Sequence, residues 1–175
     1  MKKLIFIGLV AALVVTGSVF AYAFTTATAT IAVNVIQSDF AEVAANATYS
    51  PPEIFGKFTG TWPPGTLYDI VPHTDYTGDL VIHVYLVNAA ALSRYYHHCN
   101  MELYYKDSAN VTVDDQIAAQ ILTLSNADVY FDWSSDNGTP PYYIYLNGGS
   151  YKTHKWKQMT GGSVQPQLWL EITQR

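Results

Sequence analysis

The sequence predicts an all-β protein: a single β-sandwich or jelly-roll-like domain behind an N-terminal signal helix. Apolar residues alternate with polar ones in many short runs, the mark of strands with one buried face. Between the runs stand turn signals such as Pro63-Pro64-Gly65, Thr77-Gly78-Asp79, Asp136-Asn137-Gly138 and Gly161-Gly162. Only two short segments have a helical composition, so the strands must pack on one another rather than on helices.

Lys2 and Lys3 form a basic start, Leu4 to Phe20 is almost uninterruptedly apolar, and Ala21-Tyr22-Ala23 has the small-x-small pattern of a signal-peptidase site. Residues 1–23 read as a secretory signal peptide cut between Ala23 and Phe24. The competing reading is a retained anchor, since the run approaches the roughly 17–25 residues that span a bilayer. Loss of Lys2 and Lys3 leaves seven basic against 14 acidic side chains, a net −7. That balance offers no counter-field to nucleic acid or anionic lipid, and the membrane enters only through the signal segment. Cys99 is the single cysteine, so no disulfide can close within the chain.

The mature chain opens on FTTATATIAVNVI, residues 24–36. Ala27, Ala29, Ile31, Val33 and Val35 fall on one face, and Thr26, Thr28, Thr30, Ala32 and Asn34 on the other. One face is therefore made for burial, either at the edge of its own sheet or in the sheet of a neighbouring subunit. Residues 37–175 supply the sandwich domain. Asp39 to Ala45 reads as a short helix, as does Ala89 to Arg94 with Asn88 as its cap. Gly78 is expected at positive φ in the turn before Leu80 to Asn88, which is apolar on both faces apart from His83 and reads as a central strand covered on both sides.

Around Cys99 the odd positions Tyr95, His97, Cys99, Met101 and Leu103 read as the inward face of a strand. Val129, Phe131 and Trp133 share the inward face of another, and Leu168, Leu170 and Ile172 that of the last. Strands are also expected at Ile54 to Phe58 and Gln120 to Leu124. A hairpin turning at Asn147-Gly148 is expected to join Tyr142–Leu146 to Tyr151–Trp156.

Signatures of common chemistry are missing: no G-x-S-x-G, H-E-x-x-H, phosphate-binding glycine loop or C-x-x-C pair occurs, and neither an enzyme nor a cofactor is expected. His97, His98 and Cys99 are soft-metal ligand types that could act with His83 or His154, but neighbours on a strand point to opposite faces and one metal is hard to share. Asp132, Asp136 and Asn137 lack the spacing of a calcium loop and read as a polar turn. Fourteen tyrosines and four tryptophans raise glycan stacking, with Trp62 and Trp156 as first candidates. Asn46, Asn110 and Asn137 each open an N-x-[ST] sequon and are glycosylation candidates on an exported chain.

A signal ending in A-Y-A-F, a threonine-rich first strand beginning at the cut site and a cysteine-poor all-β domain together resemble secreted fibre subunits of the TasA/camelysin type and related archaeal bundling pili. The resemblance implies polymerisation by donor-strand exchange, with copies of the chain as its partners and Ala27, Ala29, Ile31, Val33 and Val35 as the subunit-interface strand. The expectation is thus an extracellular structural protein of a cell surface. The alternative is a monomeric secreted or membrane-anchored sandwich that binds glycan or another surface component. N-terminal sequencing of the exported protein is expected to start at Phe24; a product still carrying Lys2 and Lys3 would mark the segment as an anchor.

Overall fold

The computed structural model describes residues 31–36, 38–46, 59–113, 119–134, 138–154 and 165–175. Outside them lie the signal segment with Ala23 and Phe24, Ala27 and Ala29, the strand expected at residues 54–58, Asp136, Asn137 and Trp156. The described chain is nearly all β. In order it forms β1 (Ala32–Val35), β2 (Ala41–Ala45), β3 (Thr59–Trp62), β4 (Gly65–Pro72), β5 (Leu80–Leu86), α1 (Ala89–Leu92), β6 (Tyr96–Lys106), β7 (Gln120–Thr123), β8 (Asp128–Trp133), β9 (Tyr142–Thr153) and β10 (Gln167–Gln174).

Two sheets pack face to face as a β-sandwich. The first has the order β1-β10-β5-β8; the second runs β2-β4-β9-β6-β7, with β3 also on β9. All strand pairs are antiparallel except β1 with β10. At the margins β1 lies against β2 and β7 against β8. Alternation along each strand fills the space between: Ile82, Val84, Leu168 and Leu170 from the first sheet meet Leu67, Met101, Leu103 and Ile144 from the second. The inward faces predicted for β8 (Val129, Phe131, Trp133) and β10 (Leu168, Leu170, Ile172) are the buried ones.

Several local expectations are corrected. Residues 41–45 form a strand, not a helix: Ala41 and Val43 point inward and Glu42 outward, and pairing with β4 overrides the helical preference of alanine. β4 itself was hidden behind Pro63-Pro64. The Ala89 helix forms with Asn88 at its N-cap position, where the Asn88 carbonyl accepts from Leu92 N at 2.9 Å, but the Asn88 side chain makes no cap bond. Its Nδ2 donates to Gln165 O at 2.8 Å and its Oδ1 accepts from Gln167 N at 3.1 Å, so Asn88 ties the helix start to β10. β5 is central, yet only one of its faces is covered; Val81, His83 and Tyr85 stay half-exposed on the other.

The expected hairpin at Asn147-Gly148 is absent, because β9 runs straight through it. Gly148 takes φ 145°, outside the range of ordinary side chains, and Gly149 sits under the carbonyl of Asn100 with Trp62 close beside it. The register of β6 against β9 shifts at this point, between Glu102 and Leu103. Gly78 is not at positive φ. What constrains it is Tyr76, whose ring folds over it and whose hydroxyl donates to Asp79 O at 3.2 Å.

Gly149→Ala is expected to cost about 1–3 kcal/mol of folding stability, because the new methyl meets backbone that cannot swing aside. Gly78→Ala is expected to cost less, since it meets only the far end of the Tyr76 side chain. Urea unfolding of the two variants checks the order; the reverse order would sink this account.

Candidate functional site

The N-terminal strand occupies the edge of its own first sheet, so residues 31–36 do not project from the domain. Ala32 pairs with Gln167, Val33 with Leu168, Asn34 with Trp169 and Val35 with Leu170, in parallel. Backbone bonds bracket the ladder: Ala32 N donates to Pro166 O at 2.8 Å and Ile36 N to Leu170 O at 2.9 Å. Ile31 is 7 % exposed and part of the core, with Val33 and Val35 packed against it. Asn34 faces outward, its Nδ2 at 3.5 Å from Leu168 O. Of the five residues predicted to form an interface face, these three share one buried side, as the alternation requires. The chain then crosses to the second sheet, where Phe40 N donates to Ser38 Oγ at 3.2 Å and the Phe40 ring rests on Tyr76, centroids 5.3 Å apart.

The outer face of the first sheet carries a feature that sequence reading missed. His83 on β5 is stacked on Tyr130 of β8 (centroids 4.4 Å, planes 8° apart) and on Tyr85 of its own strand (4.5 Å, 24°). Its Nε2 lies 2.9 Å from Asp128 Oδ1. Cross-strand register accounts for the cluster, because His83 faces Tyr130 on one side and Glu171 on the other, while Tyr85 faces Asp128 and Trp169. Tyr130 remains 52 % exposed. The signal in the sequence was the alternation of His83 and Tyr85 along β5, legible only once β8 is placed beside it.

The histidines near Cys99 do not follow a simple period of two. A β-bulge between Tyr96 and His98 adds one residue to β6, so Tyr96 and Cys99 are buried while His97 and His98 both point outward. His97 was expected on the inward face and lies outside. Its ring contacts that of His154, centroids 3.6 Å apart at 50°. Lost hydration at this contact, then the nearby His154 and Lys152, lower the pKa of His97. His98 instead reaches Ser150 Oγ at 3.0 Å. Among the described residues no three His, Cys, Asp or Glu side chains are grouped to hold a metal. His83 is engaged on the other sheet, and Cys99, 2 % exposed, is turned away into the core.

The remaining candidates separate as follows. Trp62 is 1 % exposed and packs on Tyr151 at 4.7 Å, so it offers no ring face to a sugar. Asp132 lies 3.5 Å from Arg175 Nη1. Asn46 directly follows β2, its backbone N donating to Leu67 O at 2.8 Å. Asn110 stands exposed on a turn at φ 62°, a conformation asparagine tolerates, and its Oδ1 accepts from Lys106 Nζ at 3.1 Å. Asp107 builds that turn, its Oδ1 accepting from Ala109 N and Val111 N at 3.0 Å each.

Burial pushes the Cys99 thiol up to about 12, well above the ordinary value near 8.5. The folded chain therefore holds this proton where the unfolded chain loses it. The stability so contributed is fully present below about pH 8.5 and is lost as pH rises towards 12. A thiol reagent at pH 8 is expected to label Cys99 only after denaturant is added, and Cys99→Ala to flatten the alkaline loss of stability. Fast labelling of the native chain would show the thiol to be accessible.

Comparison of the chain with protein-family models and with curated proteins found no match in either.

Proposed function

We propose that this chain is an extracellular structural protein, the subunit of a surface fibre or pilus-like filament in which the N-terminal strand is passed from each subunit into the first sheet of the next. The observation that carries this reading is the place of β1. Among the described residues it is a four-residue edge strand with a single partner, β10, and its alternating face closes the margin of the sandwich.

Exchange of such a strand conserves its contacts. Burial of Ile31 contributes about 1.5–3 kcal/mol and each ladder hydrogen bond about 0.5–1.5 kcal/mol, whether the strand comes from the same chain or from a neighbour. The choice rests on local concentration, on association entropy and on the crossing at residues 36–40, which must extend for the strand to leave. A head-to-tail exchange of this kind need not close on itself, which suits a fibre. The acidic balance and the signal-like start fit export to a cell surface.

A second reading, a monomeric secreted or anchored sandwich that binds glycan or another surface component, is favoured by the half-exposed aromatic residues His83, Tyr85, Tyr130 and Trp169 on the outer face. The ring faces of Tyr85, His83 and Tyr130 are largely spent on one another, which leaves less for a sugar.

The two readings separate by cross-linking. Asn34 and Trp169 are register partners on the outward side, so Asn34→Cys with Trp169→Cys, in a Cys99→Ala background, brings two thiols together wherever β1 is seated. Treated with a short bis-maleimide, which adds each thiol across a double bond, at high protein concentration, the variant is expected to give a ladder of covalent multimers. Intrachain products alone, at every concentration, would overturn strand exchange.

A further inference from the structure

The contact between His97 and His154 is used neither by the strand edge nor by the aromatic stack. It exists because of the bulge in β6. With a regular alternation His97 would turn inward; the extra residue brings it out instead, on the side of the β6–β9 pair where His154 leaves β9. His154 is fixed in place by its own backbone, whose N–H donates to Tyr95 O at 2.8 Å. Two backbone anchors on adjacent strands thus hold two imidazoles in contact, centroids 3.6 Å apart and tilted by 50°.

Neither ring has a carboxylate partner among the ion pairs of the described residues, and two imidazoles add little stability by touching at an exposed surface. What they share is a pair of nitrogen lone pairs, the donor set that zinc, copper and nickel prefer over calcium or magnesium. We propose that His97 and His154 form a two-histidine site for a borderline divalent transition-metal ion, with zinc as its simplest occupant. To admit an ion the rings part by rotation about χ2, a soft torsion in histidine, until one nitrogen of each lies about 2.0–2.1 Å from the metal. His98 is no third ligand, being held at Ser150 Oγ. The other coordination positions stay open to water or to a donor from another molecule, as in zinc sites that exchange a ligand.

The chain has five histidines, His73, His83, His97, His98 and His154, and each has its own imidazole proton signals. Titration of the full exported chain with zinc chloride, followed by these signals, is expected to saturate with one ion per chain and to move two histidines. The moved signals are expected to be those missing from His97→Gln and His154→Gln. Either substitution is expected to weaken zinc binding at least tenfold, since even the loss of a supporting partner costs about 10–100-fold. His98→Gln and His83→Gln are expected to bind zinc within about twofold of the parent chain, and calcium to move no signal. Four results would overturn the proposal: no saturable shift, shifts at a different pair, unchanged affinity in both His97→Gln and His154→Gln, or equal loss in all four variants. The shift pattern in the unsubstituted chain decides the matter even if a variant folds poorly.

Discussion

Strand β9 is the constraint on which the second sheet depends, because twelve residues must serve three partners. On one edge it takes β4 along Tyr142–Leu146 and then β3 along Gly149–Lys152; on the other it takes β6 from Tyr143 to Thr153. The break in register against β6 falls at Asn147, beside Gly148 and Gly149, whose missing side chains let Asn100 and Trp62 approach the backbone. Trp62 then fills the space above Tyr151, which in turn meets Tyr96 edge-on at 6.0 Å. The aromatic side of the core is thus organised around an absence of atoms at two positions.

The bulge at His97 sits on the same pair of strands as that break. β6 and β9 therefore slip against each other twice, once at the start of β6 and once in the middle of their contact, the first adding a residue to β6 and the second to β9. From Cys99 onward Met101, Leu103 and Tyr105 keep a regular inward face; at the first slip the outward run is doubled, in His97 and His98. The candidate metal pair and the glycine seam are in this sense two results of fitting one long strand to unequal partners.

Much of the architecture was legible in the sequence wherever one face alternated cleanly. Leu168, Leu170 and Ile172 could only be a buried face, and Val129, Phe131 and Trp133 likewise. Legibility failed where the deciding contact was distant. Ala41-Glu42-Val43-Ala44-Ala45 has residues that suit a helix, and only the neighbouring edge of β4 makes it a strand. Asn147-Gly148 has the chemistry of a tight turn, yet the same glycine freedom serves equally to bend a continuing strand. A bulge leaves no mark in composition, so His97 was assigned to the wrong side, and with it the relation to His154 was lost. The first strand is the clearest case: alternation over Ile31, Val33 and Val35 says that a face is buried, and is silent about whose sheet buries it.

The parallel sense of β1 and β10 has a mechanical consequence. Ala32 lies beside Gln167 and Val35 beside Leu170, so the chain enters β1 at one end of the pair and leaves β10 at the opposite end. A pull on the two ends of the polypeptide drags these strands past each other along their length. Their hydrogen bonds then bear the load together, in shear, whereas an antiparallel pair pulled from the same two termini would open one bond at a time like a zip. Tension applied through the ends of this domain meets its most resistant geometry first.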